Sequence, residues 1–169
     1  MKAETIQLKF KDDGTIPNSK LPLLIYKNVF SEEKANADFI TKHFEDRDWS
    51  NSWKNGVYDY HHYHSNTHEV LGVYSGYATI LFGGEEGNAF SIEEGDAVAI
   101  PAGVGHKLIQ ASEDFGVIGA YPNGMSYDLK KGNPEERPEA DQNIEKVPLP
   151  DTDPVYGKME GVVLLWRQK

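Results

Sequence analysis

Two stretches of the chain decide its fold. Residues 56–76 read GVYDYHHYHSNTHEVLGVYSG, and residues 95–110 read GDAVAIPAGVGHKLIQ. Both contain short runs of β-branched and aromatic residues interrupted by glycine, proline or asparagine, a pattern typical of short β-strands joined by tight turns. Both also place histidines at fixed distances from glycines. We therefore expect these two stretches to hold the functional residues.

The first stretch contains the polar residues of a candidate metal site. His62 and His64 are separated by one residue, and Glu69 follows after four more. In an extended strand alternate side chains share a face, so a strand through this region would point Tyr58, Tyr60, His62 and His64 in the same direction. Two imidazoles are therefore predicted to project from neighbouring positions on one face.

The remaining ligands come from turns on either side. A turn at residues 65–67 would return Glu69 beside the two histidines. Turns that bracket a predicted strand over residues 97–100 would deliver His106 from another part of the fold. Imidazole and carboxylate ligands suit divalent transition metals better than Ca²⁺ or Mg²⁺. The sequence thus predicts one divalent transition metal ion per chain, held by His62, His64, Glu69 and His106.

The spacing resembles the two motifs of the cupin family. Gly-x5-His-x-His-x4-Glu-x6-Gly matches residues 56–76, and Gly-x5-Pro-x-Gly-x2-His matches residues 95–106, while Gln110 stands where the family usually has Asn. The segment HHYHSNTHEVLGV, residues 61–73, is similar to bacterial cupins of the YjlB type. The resemblance implies an all-β fold, a cupin jelly-roll β-barrel of the RmlC-like kind. It also implies Fe or Mn as the ion, with Ni, Zn or Cu as alternatives.

The chain is expected to form a single cupin domain over residues 1–169. Its barrel core is predicted at about 50–121, with N-terminal strands and a helix in 1–49 and a C-terminal wrap in 122–169. Ser31 as N-cap, followed by acidic and then apolar residues at helical spacing, predicts one amphipathic helix over about 31–46.

The flanks carry weaker signals. Residues 4–10 and 23–30 predict edge strands, and residues 161–166 predict a final strand. Residues 122–158 show little periodicity and predict an irregular extension. The acidic, proline-rich part of it, residues 132–154, fits either a lid over the barrel mouth or a structural cover for a strand edge.

Composition excludes several classes of function. The chain has 27 acidic and 17 basic residues, a net charge of −10, and no long basic run, so nucleic acid is not an expected partner. Without cysteine, neither disulfides nor thiolate ligands can form. The longest apolar run, residues 162–166, is too short to span a membrane. We expect a soluble cytoplasmic protein and, by resemblance to small cupins, a homodimer.

Two classes of function stay open at this point. One is a metal-dependent enzyme acting on a small organic molecule, with dioxygenase-type oxidation favoured over isomerisation or decarboxylation. The other is a non-catalytic protein that binds, stores or senses a small molecule through its metal. Tyr60 and Glu69 are the candidates for moving a proton. His61 and His68 would become ligands only if the strand register differed by one residue.

Overall fold

The architecture was obtained as a computed structural model, which describes residues 4–167. Within that range nine strands form two antiparallel sheets, one of six strands in the order β1-β2-β7-β4-β9-β3 and one of three in the order β6-β5-β8. The strands are β1 (Thr5–Leu8), β2 (Leu23–Tyr26), β3 (Trp49–Asn55), β4 (Glu69–Ser75), β5 (Tyr77–Phe82), β6 (Asn88–Glu93), β7 (Ala97–Ile100), β8 (His106–Ala111) and β9 (Gly116–Pro122). Residues 1–3 and 168–169 of the predicted domain lie outside the described residues.

Short turns set the strand boundaries from β5 onward. Glycine-containing or acidic turns separate β5 from β6, β6 from β7 and β8 from β9. A mostly β fold is thus confirmed. Between residues 4 and 167 no pair of named strands joins the two sheets, so closure into a jelly-roll barrel stays a prediction. No helix in the same range is long and apolar enough to cross a membrane.

The larger sheet is buried on both faces. Leu71 and Val73 of β4 contribute to a core cluster that contains residues of both sheets, whereas Val70 belongs to a second cluster on the opposite face. Alternate residues of a strand share a face, so Glu69 points to the same side as Leu71 and Val73. The first residue of β4 therefore places a carboxylate between the two sheets.

Helix α1 (Ala37–Glu45) covers the outer face of the large sheet through Ile40 and Phe44. The predicted start at Ser31 is wrong. Asn36 is the N-cap, and its side chain accepts a hydrogen bond of 2.9 Å from the backbone N–H of Phe39. Residues 32–34 form a turn instead, in which the backbone N–H groups of Lys34 and Ala35 each donate a hydrogen bond of 2.8 Å to the carbonyl of Ser31.

The flanks differ from prediction in three further respects. Strand β2 lies inside the large sheet rather than at its edge. The extension is more regular than expected, with a 3₁₀ turn (Pro134–Glu136) and helix α2 (Glu139–Lys146). The predicted final strand is instead helix α3 (Val162–Leu165). Val162 and Trp166 are buried while Leu164 is 52% exposed, and burial four residues apart is helical periodicity.

We expect Gly72→Ala to destabilise the fold. A Cβ at Gly72 would lie 2.6 Å from Cγ2 of Ile40 and 2.8 Å from Cζ of Phe44, both of which are fully buried. Overpacking of this kind costs about 1–3 kcal/mol. Gly56→Ala is the control, because a Cβ there meets no atom within 4 Å. Denaturant unfolding should give a lower free energy for the Gly72 variant than for the control; equal values would contradict the packing described here.

Candidate metal centre

The histidines of the first motif lie on an irregular segment between β3 and β4. The predicted strand through Tyr58 and His64 is wrong, since this segment makes only isolated bridges, His62 with His106 and Tyr63 with Lys130. The first bridge has backbone hydrogen bonds of 3.2 Å from His62 N to His106 O and 2.9 Å from His106 N to His62 O. It sets the two imidazoles side by side, with ring centroids 4.0 Å apart.

Three of the predicted ligands converge on one point. His64, Glu69 and His106 each offer a ligand atom, and these atoms lie within 4.8 Å of one another. The Nε2 atoms of His64 and His106 lie 3.3 Å and 3.4 Å from Oε1 of Glu69. All three side chains are buried. The structure therefore contains a His-His-Glu group that could bind a metal ion.

Backbone carbonyls fix the tautomer of each motif histidine. Nδ1 of His64 lies 2.5 Å from the carbonyl oxygen of Asp128, Nδ1 of His62 lies 2.9 Å from that of Tyr60, and Nδ1 of His106 lies 3.1 Å from that of Val104. A carbonyl can only accept, so each Nδ1 carries the proton. The neutral imidazoles consequently present the lone pair of Nε2, the arrangement common in metal-binding histidines.

The group is electrostatically incomplete without a positive charge. Two Nε2 lone pairs facing a carboxylate oxygen would repel it unless a proton or a cation lay between them. Burial lowers the pKa of His64, but the charge and hydrogen bond of Glu69, together with Asp128, outweigh that effect and raise it above the usual value. Burial raises the pKa of Glu69, and the two histidines bring it well below its usual range. Nitrogen and oxygen donors around a buried charge suit a divalent transition metal.

His62 lies beside this group without belonging to it. Burial, followed by the neighbouring His106, lowers the pKa of His62 to about 3, so its ring is neutral near pH 7. Its side chain lines the same cavity as the other three. Its assignment as the fourth ligand stays a prediction.

The other two histidines of this stretch face elsewhere. Nε2 of His61 lies 2.6 Å from a carboxylate oxygen of Glu85. His68 packs against Trp166, with ring centroids 4.6 Å apart, and its Nδ1 accepts a hydrogen bond of 2.9 Å from Ala102 N. Neither belongs to the His-His-Glu group.

The cavity above the group is small and largely aromatic. Its volume is about 270 Å³. The residues that line it are Trp53, Lys54, Asn55, Gly56, Val57, Tyr58, His62, His64, Glu69, Leu71, His106, Tyr121 and Tyr127. Tyr60, a candidate for moving a proton, is not among them; its ring stacks on Tyr58 at 5.1 Å. None of the described residues of 132–154 lines it either, and Glu136 instead accepts a hydrogen bond from the hydroxyl of Tyr63.

Sequence reasoning missed three residues that support the ligands. Tyr121 donates a hydrogen bond of 2.8 Å to Oε2 of Glu69, and Trp53 donates one of 2.7 Å to the Tyr121 hydroxyl. Asp128 holds His64 through its carbonyl and Ser65 through its carboxylate. No local pattern in the sequence marks these three residues, because their partners lie 52, 64 and 68 residues away along the chain.

Two facing antiparallel sheets with a buried His-His-Glu group between them define a β-sheet protein with a candidate metal centre. No family model matches the sequence. The chain is 48% identical over 167 residues to a protein of Bacillus subtilis (strain 168) described as uncharacterized protein YjlB, covering 98% of this chain and 99% of that one. The chain belongs to the YjlB family, which confirms the resemblance predicted from its sequence.

The similarity to solved structures is weaker. An acireductone dioxygenase from Bacillus anthracis, with a cadmium ion in its active centre, is 16% identical with a TM-score of 0.44, over 62% of this chain and 79% of the other. A variant of oxalate decarboxylase from Bacillus subtilis is 19% identical with a TM-score of 0.41, over 78% of this chain and 34% of the other.

We expect His64→Ala and His106→Ala to lose stoichiometric metal. Each removes one of the two Nε2 donors that face Glu69, and losing a ligand should cost more than the roughly 10- to 100-fold seen for outer hydrogen-bond partners. His61→Ala is the matched control and should keep its metal, since His61 faces Glu85. Metal analysis of folded protein checks all three. Unchanged metal content in His64→Ala or His106→Ala would remove that residue from the site.

Proposed function

We propose that the protein is a metal-dependent enzyme acting on a small organic molecule, and that its reaction is a dioxygenase-type oxidation. The observation that supports this is the convergence of two Nε2 lone pairs on Glu69 at the wall of a cavity of about 270 Å³. A cavity of this size lies just below the usual range of ligand pockets, which begins at about 300 Å³. It favours a substrate of few atoms.

The centre has the donor set of an open catalytic site. A divalent ion bound there would act as a Lewis acid and orient substrate oxygens. Fe or Mn is our proposal for the ion, with His62 as a further ligand from the cavity wall. The group of His64, Glu69 and His106 leaves room for ligands that are not protein atoms, as catalytic sites require and closed structural sites do not.

The surrounding residues of the chain keep water out and orient the substrate. Val57, Leu71 and the aromatic rings make the walls mainly apolar, which strengthens electrostatic interactions inside the cavity. Lys54 and Asn55 supply the polar groups of the lining from the end of β3. This combination favours a small molecule with two adjacent oxygens, such as an organic acid or a diketone.

Proton transfer would fall to Glu69. Its Oε1 faces the two histidines, so it is the carboxylate nearest to where substrate would bind. Tyr60, the other candidate for moving a proton, packs on Tyr58. The centroid of its ring lies 5.6 Å from that of the His62 ring. We therefore favour Glu69 over Tyr60.

Metal content and oxygen uptake test this function together. Untagged protein should contain about one Fe or Mn ion per chain by inductively coupled plasma mass spectrometry, the number that one ligand set predicts. It should also consume oxygen with at least one member of a panel of small acids and diketones, measured with an oxygen electrode. His64→Ala provides the control and should show no uptake above buffer.

Other outcomes separate the alternatives. Stoichiometric metal with tight binding of a panel compound but neither oxygen uptake nor product would contradict the oxidation and favour the non-catalytic binding protein. Product without oxygen uptake would favour isomerisation or decarboxylation. Absence of metal after reconstitution with Fe(II), Mn(II), Ni(II) or Co(II) would contradict the metal centre itself.

A further inference from the structure

A chain of two hydrogen bonds runs from the wall of the cavity to Glu69. Trp53 Nε1 lies 2.7 Å from the hydroxyl oxygen of Tyr121, and that oxygen lies 2.8 Å from Oε2 of Glu69. Glu69 is 2% exposed, so solvent does not compete for its oxygens. We refer to Trp53, Tyr121 and Glu69 as the relay.

The direction of both hydrogen bonds is fixed by chemistry. An indole N–H can only donate, and a carboxylate can only accept. The hydroxyl of Tyr121 must therefore accept from Trp53 and donate to Glu69.

Strand register builds the relay. Val70 pairs with Ala120 across β4 and β9, so the next antiparallel pair along places Glu69 opposite Tyr121. Trp53 of β3 pairs with Gly119 of β9. A Cβ at Gly119 would lie 2.2 Å from Cε2 of Trp53 and 2.5 Å from its Nε1. Glycine therefore provides the space in which the indole lies against β9 and reaches Tyr121.

We infer that Tyr121 and Trp53 are positioning residues, which hold Glu69 by Oε2 so that Oε1 stays directed at Nε2 of His64 and His106. The inference rests on the metal binding that the proposed function requires. A carboxylate held by one oxygen cannot rotate to exchange its two oxygens without breaking a buried hydrogen bond. The histidines are held in the same manner by carbonyls on Nδ1, so the relay completes the support of all three donors.

Tyr121→Phe tests the inference through metal affinity. The change removes one hydroxyl and keeps the ring, and it should weaken Co(II) binding about 10- to 100-fold, the cost of losing an outer hydrogen-bond partner. Co(II) also reports ligand geometry, so its visible absorption bands should change in position or intensity. The probe is Co(II) alone, titrated into full-length protein from which metal has been removed.

Tyr127→Phe is the matched control. Tyr127 lines the same cavity and stacks on Tyr121 with centroids 5.0 Å apart, but Tyr121 supplies the hydroxyl bound to Glu69. Loss of the Tyr127 hydroxyl should leave the Co(II) affinity and the visible spectrum close to those of the unchanged protein. Circular dichroism and melting temperature, measured on the same samples, separate loss of affinity from loss of fold.

Trp53→Phe, alone and combined with Tyr121→Phe, tests whether Trp53 acts on Glu69 through Tyr121. Trp53 acts on Glu69 only through Tyr121, so adding Trp53→Phe to Tyr121→Phe should weaken Co(II) binding no further, whereas independent effects would add. Trp53→Phe alone also tests the relay should Tyr121→Phe fail to fold, and it should weaken binding.

The outcomes distinguish this inference from the proposed function. If the unchanged protein binds no Co(II), the metal centre fails and the relay with it. If the unchanged protein binds Co(II) and Tyr121→Phe binds it as tightly with the same spectrum, the positioning role of the relay is contradicted. The metal centre is then still supported. Equal losses in Tyr121→Phe and Tyr127→Phe would also overturn the relay, because the effect would then come from the cavity wall in general.

Discussion

The buried carboxylate of Glu69 is the constraint on which the centre depends. An ionised carboxylate without water is costly unless it is paired and hydrogen-bonded. At 2% exposure Glu69 has neither oxygen in solvent. One oxygen is satisfied by Tyr121, and the other requires positive charge from a protonated imidazole or a cation. Strand β9 supplies Tyr121 to Oε2, whereas His64 and His106 face Oε1.

Support for the histidine side comes from the C-terminal extension. The segment with His62 and His64 is irregular, so a sheet ladder does not hold it along its length. Asp128 holds it instead, accepting from His64 Nδ1 and from the backbone N–H and hydroxyl of Ser65. Asn66 adds two bonds, donating to the carbonyl of Ser126 and accepting from the N–H of Asp128. The extension is therefore part of the site.

Local sequence signals predicted the elements better than the contacts. The turns on either side of residues 97–100 identified β7, and the two motifs identified the three residues that converge. The strand proposed through Tyr58 and His64 was wrong because this segment forms isolated bridges to His106 and Lys130 rather than a continuous ladder, although His62 and His64 still face one cavity. Spacing in sequence cannot show which backbone partners complete a strand.

The supporting residues were missed because their partners are distant in sequence. Tyr121 is 52 residues from Glu69, and Asp128 is 64 residues from His64. Neither pair has a local pattern, and the extension that contains Asp128 looked irregular because its polar residues bind other segments. The helix after residue 161 was missed because a five-residue apolar run is compatible with either a strand or a helix until its buried face is known.

The hydrogen bonds of the six histidines separate the candidate ligands from the others. His62, His64 and His106 each have Nδ1 on a carbonyl, which leaves the Nε2 lone pair for a metal. In His43 and His61, Nε2 is already bound, to the carbonyl of Val155 and to Glu85. His68 has the opposite tautomer to the candidate ligands, because its Nδ1 accepts from a backbone N–H. His61, His62 and His68 lie close together in the sequence and yet differ in chemistry. The groups around each ring decide which nitrogen keeps its lone pair.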